Sequence, residues 1–142
     1  MIGGQVADIQ AEGKEGDLPL VEFIHSHKTG ALLTVSVVSG AMLGGAAGSR
    51  LQSFSSYGRK VGMAFQIVDD ILDIEGDSRV LGKQAGADEK RKKITYPAAV
   101  GIERARETGR RLVDEAVEEL RDLGPRADPL RAIAQYIVER EK

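Results

Sequence analysis

The chain has 142 residues, 20 basic and 22 acidic side chains, and no cysteine; its length fits one domain with a real core. A net charge of -2 excludes a general nucleic-acid binder, which needs a strongly basic face. The lack of cysteine excludes disulfides, thiolate metal sites and a cysteine nucleophile. Aromatic residues make up only 4% and tryptophan is absent, so the core is built from Ala, Val, Leu, Ile and Met, which favours helices over a β-sandwich. In chain order, residues 3–12 are good helix formers closed by Gly13 as a C-terminal cap. Asp17 reads as the N-cap of a second helix, with Pro19 just inside it, running through Val21, Phe23 and Ile24 towards Lys28. A third, apolar helix is expected over 31–44. It lies in an uncharged run, 29–49, close to the roughly 20 residues that span a bilayer. Thr29, Thr34, Ser36, Ser39, Ser49 and several glycines dilute that run, so the expectation is a buried helix and no membrane span. Gly40, Gly44 and Gly48 stand four apart, a spacing expected to let a neighbouring helix come near. Residues 49–75 form the longest periodic stretch, and 76–93 a polar loop of a length that is usually functional. Pro97 opens another helix. A charged amphipathic helix is expected over 98–123, stopped by Gly124 and Pro125, and Asp128-Pro129 starts a last helix to about residue 140. No alternating strand pattern occurs over a useful length. The expectation is therefore one all-α domain, a helical bundle, over 1–142. The N-terminus carries no basic and apolar secretory signal, so the expected location is the cytoplasm.

The segment 57–74 is the most informative. On a helical wheel of about 100° per residue, with Gln66 at zero, Tyr57, Val61, Ala64, Phe65, Val68, Ile71 and Leu72 fall between roughly 140° and 260°. Gln66, Asp69, Asp70 and Asp73 fall on the opposite side, between roughly 300° and 40°. Three carboxylates thus share one stripe. Asp69 and Asp73 repel across one helical turn, and aspartate is a poor mid-helix residue. A hard divalent cation would relieve both costs; Mg²⁺ commonly takes one or two carboxylates plus phosphate oxygens. A solvated acidic face is the plainer alternative. Against it stand the flanking Ile67 and Ile74, and the cations of the following loop, Lys83, Lys90, Arg91, Lys92 and Lys93. Carboxylates beside lysines suit a metal-bridged polyphosphate.

The segment from Gly62 through Gln66, Asp69 and Asp70 to Asp73 closely resembles the second aspartate-rich motif of trans-isoprenyl diphosphate synthases. These are the all-helical prenyltransferases of the farnesyl and geranylgeranyl diphosphate synthase type, the polyprenyl synthetases. Four further motifs agree in the right order. Gly4-Gln5 and Asp8 are similar to the family's G-Q-x-x-D, and Lys28-Thr29-Gly30 to its K-T-G. Gly82-Lys83, Gly86 and Asp88 resemble the G-K-x-x-G-x-D loop, and Lys93, Thr95, Tyr96 and Pro97 the K-x-T-Y-P box. The resemblance covers nearly the whole chain but only the second half of the family's fold. A first D-D-x-x-D and the basic residues upstream of it have no match here. The chain is thus expected to form the C-terminal part of the isoprenoid synthase fold, as a fragment inactive alone.

The resemblance implies a chemistry and a set of roles. An allylic diphosphate ionises, and the cation alkylates isopentenyl diphosphate while Mg²⁺ and lysines stabilise the leaving diphosphate. Asp69 is implied as the direct Mg²⁺ ligand, with Asp70, Asp73 and Asp88 acting directly or through water. Lys28, Lys83 and Lys93 are implied to contact the diphosphate. Thr29, Gln66 and the Lys28 carbonyl would face the allylic cation, Gln5 would line the cavity, and Asp8 would orient Lys28. Some residues read more plainly. His25 and His27 point away from each other on a helix and are expected in surface or packing roles. Glu103 to Arg121 reads as a solvated face, with Leu112, Val113, Val117 and Leu120 as core or interface. A second function class is a non-catalytic helical module that dimerises or binds a partner through helices left without neighbours.

Overall fold

The computed structural model describes residues 1–13, 17–75 and 93–140. Among them are seven α-helices and no strand: α1 (Ile2–Ala11), α2 (Leu18–His27), α3 (Thr29–Leu43), α4 (Gly48–Glu75), α5 (Tyr96–Val100), α6 (Ile102–Glu119) and α7 (Asp128–Glu139). Short 3₁₀ turns at Arg121–Leu123 and Pro125–Ala127 join α6 to α7. The all-α expectation is met. The loop residues 76–92, with Lys83 and Asp88, lie outside the described residues.

Local chemistry sets most of the helix ends. Helix α1 ends at Glu12, whose ψ of 131° leaves the helical region, and Gly13 follows at φ 75°, which glycine adopts freely. Asp17 Oδ1 accepts the Leu20 amide at 3.1 Å, capping α2, with Pro19 in the first turn. Only Lys28, with non-helical backbone angles, separates α2 from α3. The expected continuous helix over 98–123 is corrected: it divides at Gly101. That glycine sits at φ 85° and ψ 151°, which L side chains rarely adopt, so α5 stops and α6 starts in a new direction. Thr95 caps α5, its hydroxyl accepting the Ala98 amide at 3.3 Å.

The axis of the molecule is α4, about 42 Å long at 1.5 Å per residue, with α3 on one side and α6 and α7 on another. One core cluster joins Tyr57, Val61, Ala64 and Val68 of α4 to Val113 and Ala116 of α6, to Leu120 just past its end, and to Ala134 and Ile137 of α7. A second joins Ile67 and Ile71 to Val21, Tyr96 and Ala105. The expected interior stripe of α6 is therefore real, with Leu112 and Val117 packed beside it. Tyr57 is fully buried and donates its hydroxyl to the Leu130 carbonyl at 2.7 Å. Burial pushes its pKa up to about 12.

The glycine expectation fails in an instructive way. A side chain at Gly40 would meet nothing within 4 Å, and the same holds at Gly48. Helices α3 and α4 instead close on each other at Gly30, Gly58 and Gly62. A Cβ at Gly62 would lie 2.7 Å from the Gly30 Cα, and one at Gly58 2.9 Å from the Thr34 Cα. Nor is α3 buried all round. Among its described residues only Gly30 is buried, while Leu32, Val35, Met42 and Leu43 stand out, Leu43 at 91% exposure. Ile2, Val6 and Ile9 of α1 are also exposed. No helix of the described residues is long and apolar enough to cross a membrane.

Candidate functional site

A recess of about 170 Å³ opens where α1, the α2–α3 junction, the middle of α4 and the entry to α5 meet. Its lining includes Lys28, Thr29, Gln66, Asp69, Asp70 and Lys93, together with Asp8, His25 and Thr95. Six residues singled out as candidates for binding or catalysis thus converge from separate parts of the chain. A larger cleft of about 650 Å³, near Gly40, Arg50 and Leu130, holds none of the candidate residues.

Packing and electrostatics explain the convergence. Gly4 lets α1 approach the break between α2 and α3, where a Cβ would stand 2.3 Å from the backbone of His27 and Lys28. That contact brings Asp8, one turn along α1, to Lys28: its Oδ2 accepts from Nζ at 2.6 Å. Lys93 Nζ lies 4.0 Å from the same oxygen. One buried carboxylate thus gathers two ammonium groups at the recess wall, holding positive charge ready for an anion. Asp8 therefore has the contact with Lys28 that the sequence implied.

On α4, neighbouring aspartates differ sharply. The Asp69 side chain is 46% exposed and its Oδ1 lies 3.6 Å from Arg140 Nη2. Arg140 comes from the residue after α7, donates to the Phe65 carbonyl at 3.2 Å, and stacks 4.2 Å from the Phe65 ring centroid. Burial pulls its guanidinium below the ordinary value, while Asp69 acts in the opposite direction. The Asp70 side chain is only 12% exposed. Its Oδ2 accepts the Tyr96 amide at 2.7 Å and lies 3.3 Å from His25 Nε2. Asp73 is buried one turn further along and is not in the recess lining. Gln66 is buried and does line it. Gln5 is exposed on α1 and away from the lining, because Gly4, Asp8 and Ala11 form that helix's inner face.

Two residues go beyond the sequence reading: His25, which lines the recess, and Arg140, which stands beside Asp69. His27 is exposed and stacked on Phe23, as a surface role implies, but His25 is buried and faces Asp70. Alternating direction along α2 was the available signal; what His25 meets was not. Arg140 had no signal, because its partner is 71 positions away.

The donor set fits a hard cation with a phosphate ligand. Asp69 offers a partly exposed carboxylate, and Lys28 and Lys93 line the same recess. Among the described residues no three metal-ligating side chains cluster. Mg²⁺ commonly takes one or two carboxylates and completes its shell with phosphate oxygens and water.

A sequence model of the polyprenyl synthetase family matches residues 1–128. The chain is 48% identical over 141 residues to a dimethylallyltranstransferase of Fischerella ambigua, covering 99% of this chain and 41% of that protein. It is 45% identical over 146 residues to farnesyl diphosphate synthase of Escherichia coli K12, covering 100% of this chain and 49% of that one. A crystal structure of geranyltransferase from Helicobacter pylori, complexed with magnesium and isoprenyl diphosphate, superposes with a TM-score of 0.78 at 28% identity, over 98% of this chain and 46% of that one. The chain spans about half the length of the curated relatives it matches.

Proposed function

Because the chain belongs to the polyprenyl synthetase family, we propose that its recess is the diphosphate- and metal-binding half of a trans-prenyltransferase site. The reaction is the Mg²⁺-dependent condensation of an allylic diphosphate with isopentenyl diphosphate. The observation that supports this best is the pairing of Lys28 and Lys93 on Asp8 in the same recess as the exposed carboxylate of Asp69.

Lys28 and Lys93 would hold the departing diphosphate, with Asp8 fixing the Lys28 ammonium in place. Lys83, outside the described residues, would join them. Asp69 would hold Mg²⁺, with Asp70, Asp73 and Asp88 in its wider acidic surround. When bound, the metal supplies charge stabilisation for the diphosphate as the allylic C–O bond breaks. Gln66 and Thr29 would turn oxygen dipoles towards the carbon that becomes positive. Gln5, exposed on α1, would reach the substrate only from the edge. These residues supply half of the apparatus; the part of the fold that relatives carry beyond this match would supply the rest, and condensation by this chain alone is not expected.

A second reading is favoured by a separate observation. The exposed apolar residues of α1 and α3 form faces of the kind that associate. On this reading the chain is a helical interaction module, pairing as a homodimer or with another helical protein. Sedimentation across a wide concentration range tests it; a monomer throughout would count against it.

The site itself is tested by thermal melts in EDTA, in Mg²⁺, and in Mg²⁺ with inorganic diphosphate. At a free concentration of 100 times Kd, binding stabilises by about 2.7 kcal/mol, which raises the midpoint of a chain this size by roughly 10 °C. The expected result is a rise with Mg²⁺ and diphosphate together that Mg²⁺ alone does not give, and a much smaller one in Asp69→Ala. A cooperative melt with no rise would remove the site and leave the interaction module.

A further inference from the structure

The two aspartates that lead the acidic stripe have different surroundings, and the difference assigns them different work. Two contacts converge on one carboxylate oxygen of Asp70. Its Oδ2 takes the Tyr96 amide at 2.7 Å, and His25 Nε2 approaches the same oxygen at 3.3 Å. Tyr96 is the first residue of α5, so its amide is one of the donors that a helix cannot pair within itself. Thr95 Oγ1 takes the Ala98 amide, and a carboxylate from another helix takes that of Tyr96. The junction is therefore tied to α4 by a charge-assisted hydrogen bond across 26 positions of sequence.

His25 completes the tie. It is buried on the last turn of α2, and its ring stacks on Tyr96 with centroids 6.2 Å apart. Its Nδ1 is buried without a hydrogen bond to any described residue. Burying an imidazole with one idle nitrogen is costly. The other nitrogen stands at ion-pair distance from Asp70, the polar contact that accompanies this burial. The ring thus wedges between the recess wall and α5 and holds the Asp70 carboxylate towards Tyr96.

Lys93 stands three residues before Tyr96, with its ammonium 4.0 Å from Asp8. We propose that His25 and Asp70 are positioning residues: together they pin the 93–96 segment to α4 and so set where the Lys93 ammonium meets an anion, Asp70 serving that segment rather than a cation. The part concerning ligands rests on the reading of the recess as a diphosphate site; the pinning itself does not.

The test uses the purified chain and inorganic diphosphate as the probe. Titration calorimetry in EDTA and in Mg²⁺ gives two affinities, and their ratio measures what the metal adds. Asp70→Ala is expected to weaken binding in EDTA by about tenfold or more, a loss near 1.4 kcal/mol, and to leave the metal-added ratio within about twofold. Asp69→Ala is expected to do the reverse. Amide exchange by NMR gives a readout independent of any ligand: Tyr96 should exchange about tenfold faster in Asp70→Ala and several-fold faster in His25→Ala. His25→Gln, which keeps a donor for Asp70, should recover most of the protection. If Asp70→Ala unfolds the chain, the His25 pair carries the comparison alone. Loss of the metal-added ratio in Asp70→Ala, or unchanged Tyr96 exchange in His25→Ala, would overturn the proposal. No diphosphate binding by the parent chain, with Tyr96 still released in the variants, would reject the diphosphate reading and the Lys93 role but keep the pinning.

Discussion

One pair of substitutions separates packing from propensity with opposite signs. Gly62→Ala places a methyl group 2.7 Å from the Gly30 Cα and 3.1 Å from its carbonyl oxygen. Ordinary carbon contacts begin near 3.4 Å, so α3 and α4 must part by about 0.7 Å along a seam of backbone atoms that cannot rotate away. Overpacking of this kind costs about 1–3 kcal/mol, and two helix backbones in collision belong at the upper end. Alanine returns about 1 kcal/mol of helix propensity. The net expectation is a loss of about 2 kcal/mol, or a midpoint lower by roughly 8 °C. Gly40→Ala carries the same propensity gain with nothing within 4 Å to hit, and should raise stability by about 0.5–1 kcal/mol. Urea denaturation monitored by far-UV circular dichroism, with thermal melts alongside, reads both. If Gly62→Ala proves neutral while Gly40→Ala stabilises, the seam between α3 and α4 is looser than the backbone distances state. If both destabilise, open space around Gly40 is refuted.

Tyr57→Phe removes the bond to the Leu130 carbonyl and should cost about 1 kcal/mol at pH 7. Because the folded Tyr57 pKa is raised from 10.0 to about 12, its contribution is complete below pH 10 and is lost as pH rises through about 12; stability measured against pH should fall more steeply for the parent than for Tyr57→Phe in that window. Parallel curves would contradict it. Asp17→Ala deletes the α2 cap at an exposed position and should cost about 1 kcal/mol, read as a lower urea midpoint with an unchanged slope. Asp8→Asn keeps the shape of the recess but removes the charge that gathers Lys28 and Lys93, and should weaken diphosphate binding about threefold to tenfold by calorimetry. Tighter binding would show that Asp8 competes with the anion for the lysines rather than presenting them.

Which features could be read in the sequence follows from the range of the forces involved. Periodicity, caps and glycine stops act within a few residues, so the positions of α1, α2, α4 and α7 were legible, as was the polar stripe from Gln66 to Asp73. The family motifs named Lys28, Thr29, Gln66, Asp69, Asp70 and Lys93, and the fold brings these six into one recess. A spacing of four among glycines, by contrast, was read as a packing seam at the wrong end of α3, because spacing cannot say which face a neighbour covers. The helix expected over 98–123 broke at Gly101 because amphipathic pattern is insensitive to one positive φ. Charge alone could not separate Asp69 from Asp70, which are adjacent in sequence and alike in chemistry. Only the folded chain gives one an exposed side chain beside Arg140 and the other a largely covered place beside His25 and the Tyr96 amide. Helix identity was set by local chemistry; the work of each carboxylate was set by partners 45 and 26 positions from Asp70 and 71 from Asp69, which only tertiary packing brings within reach.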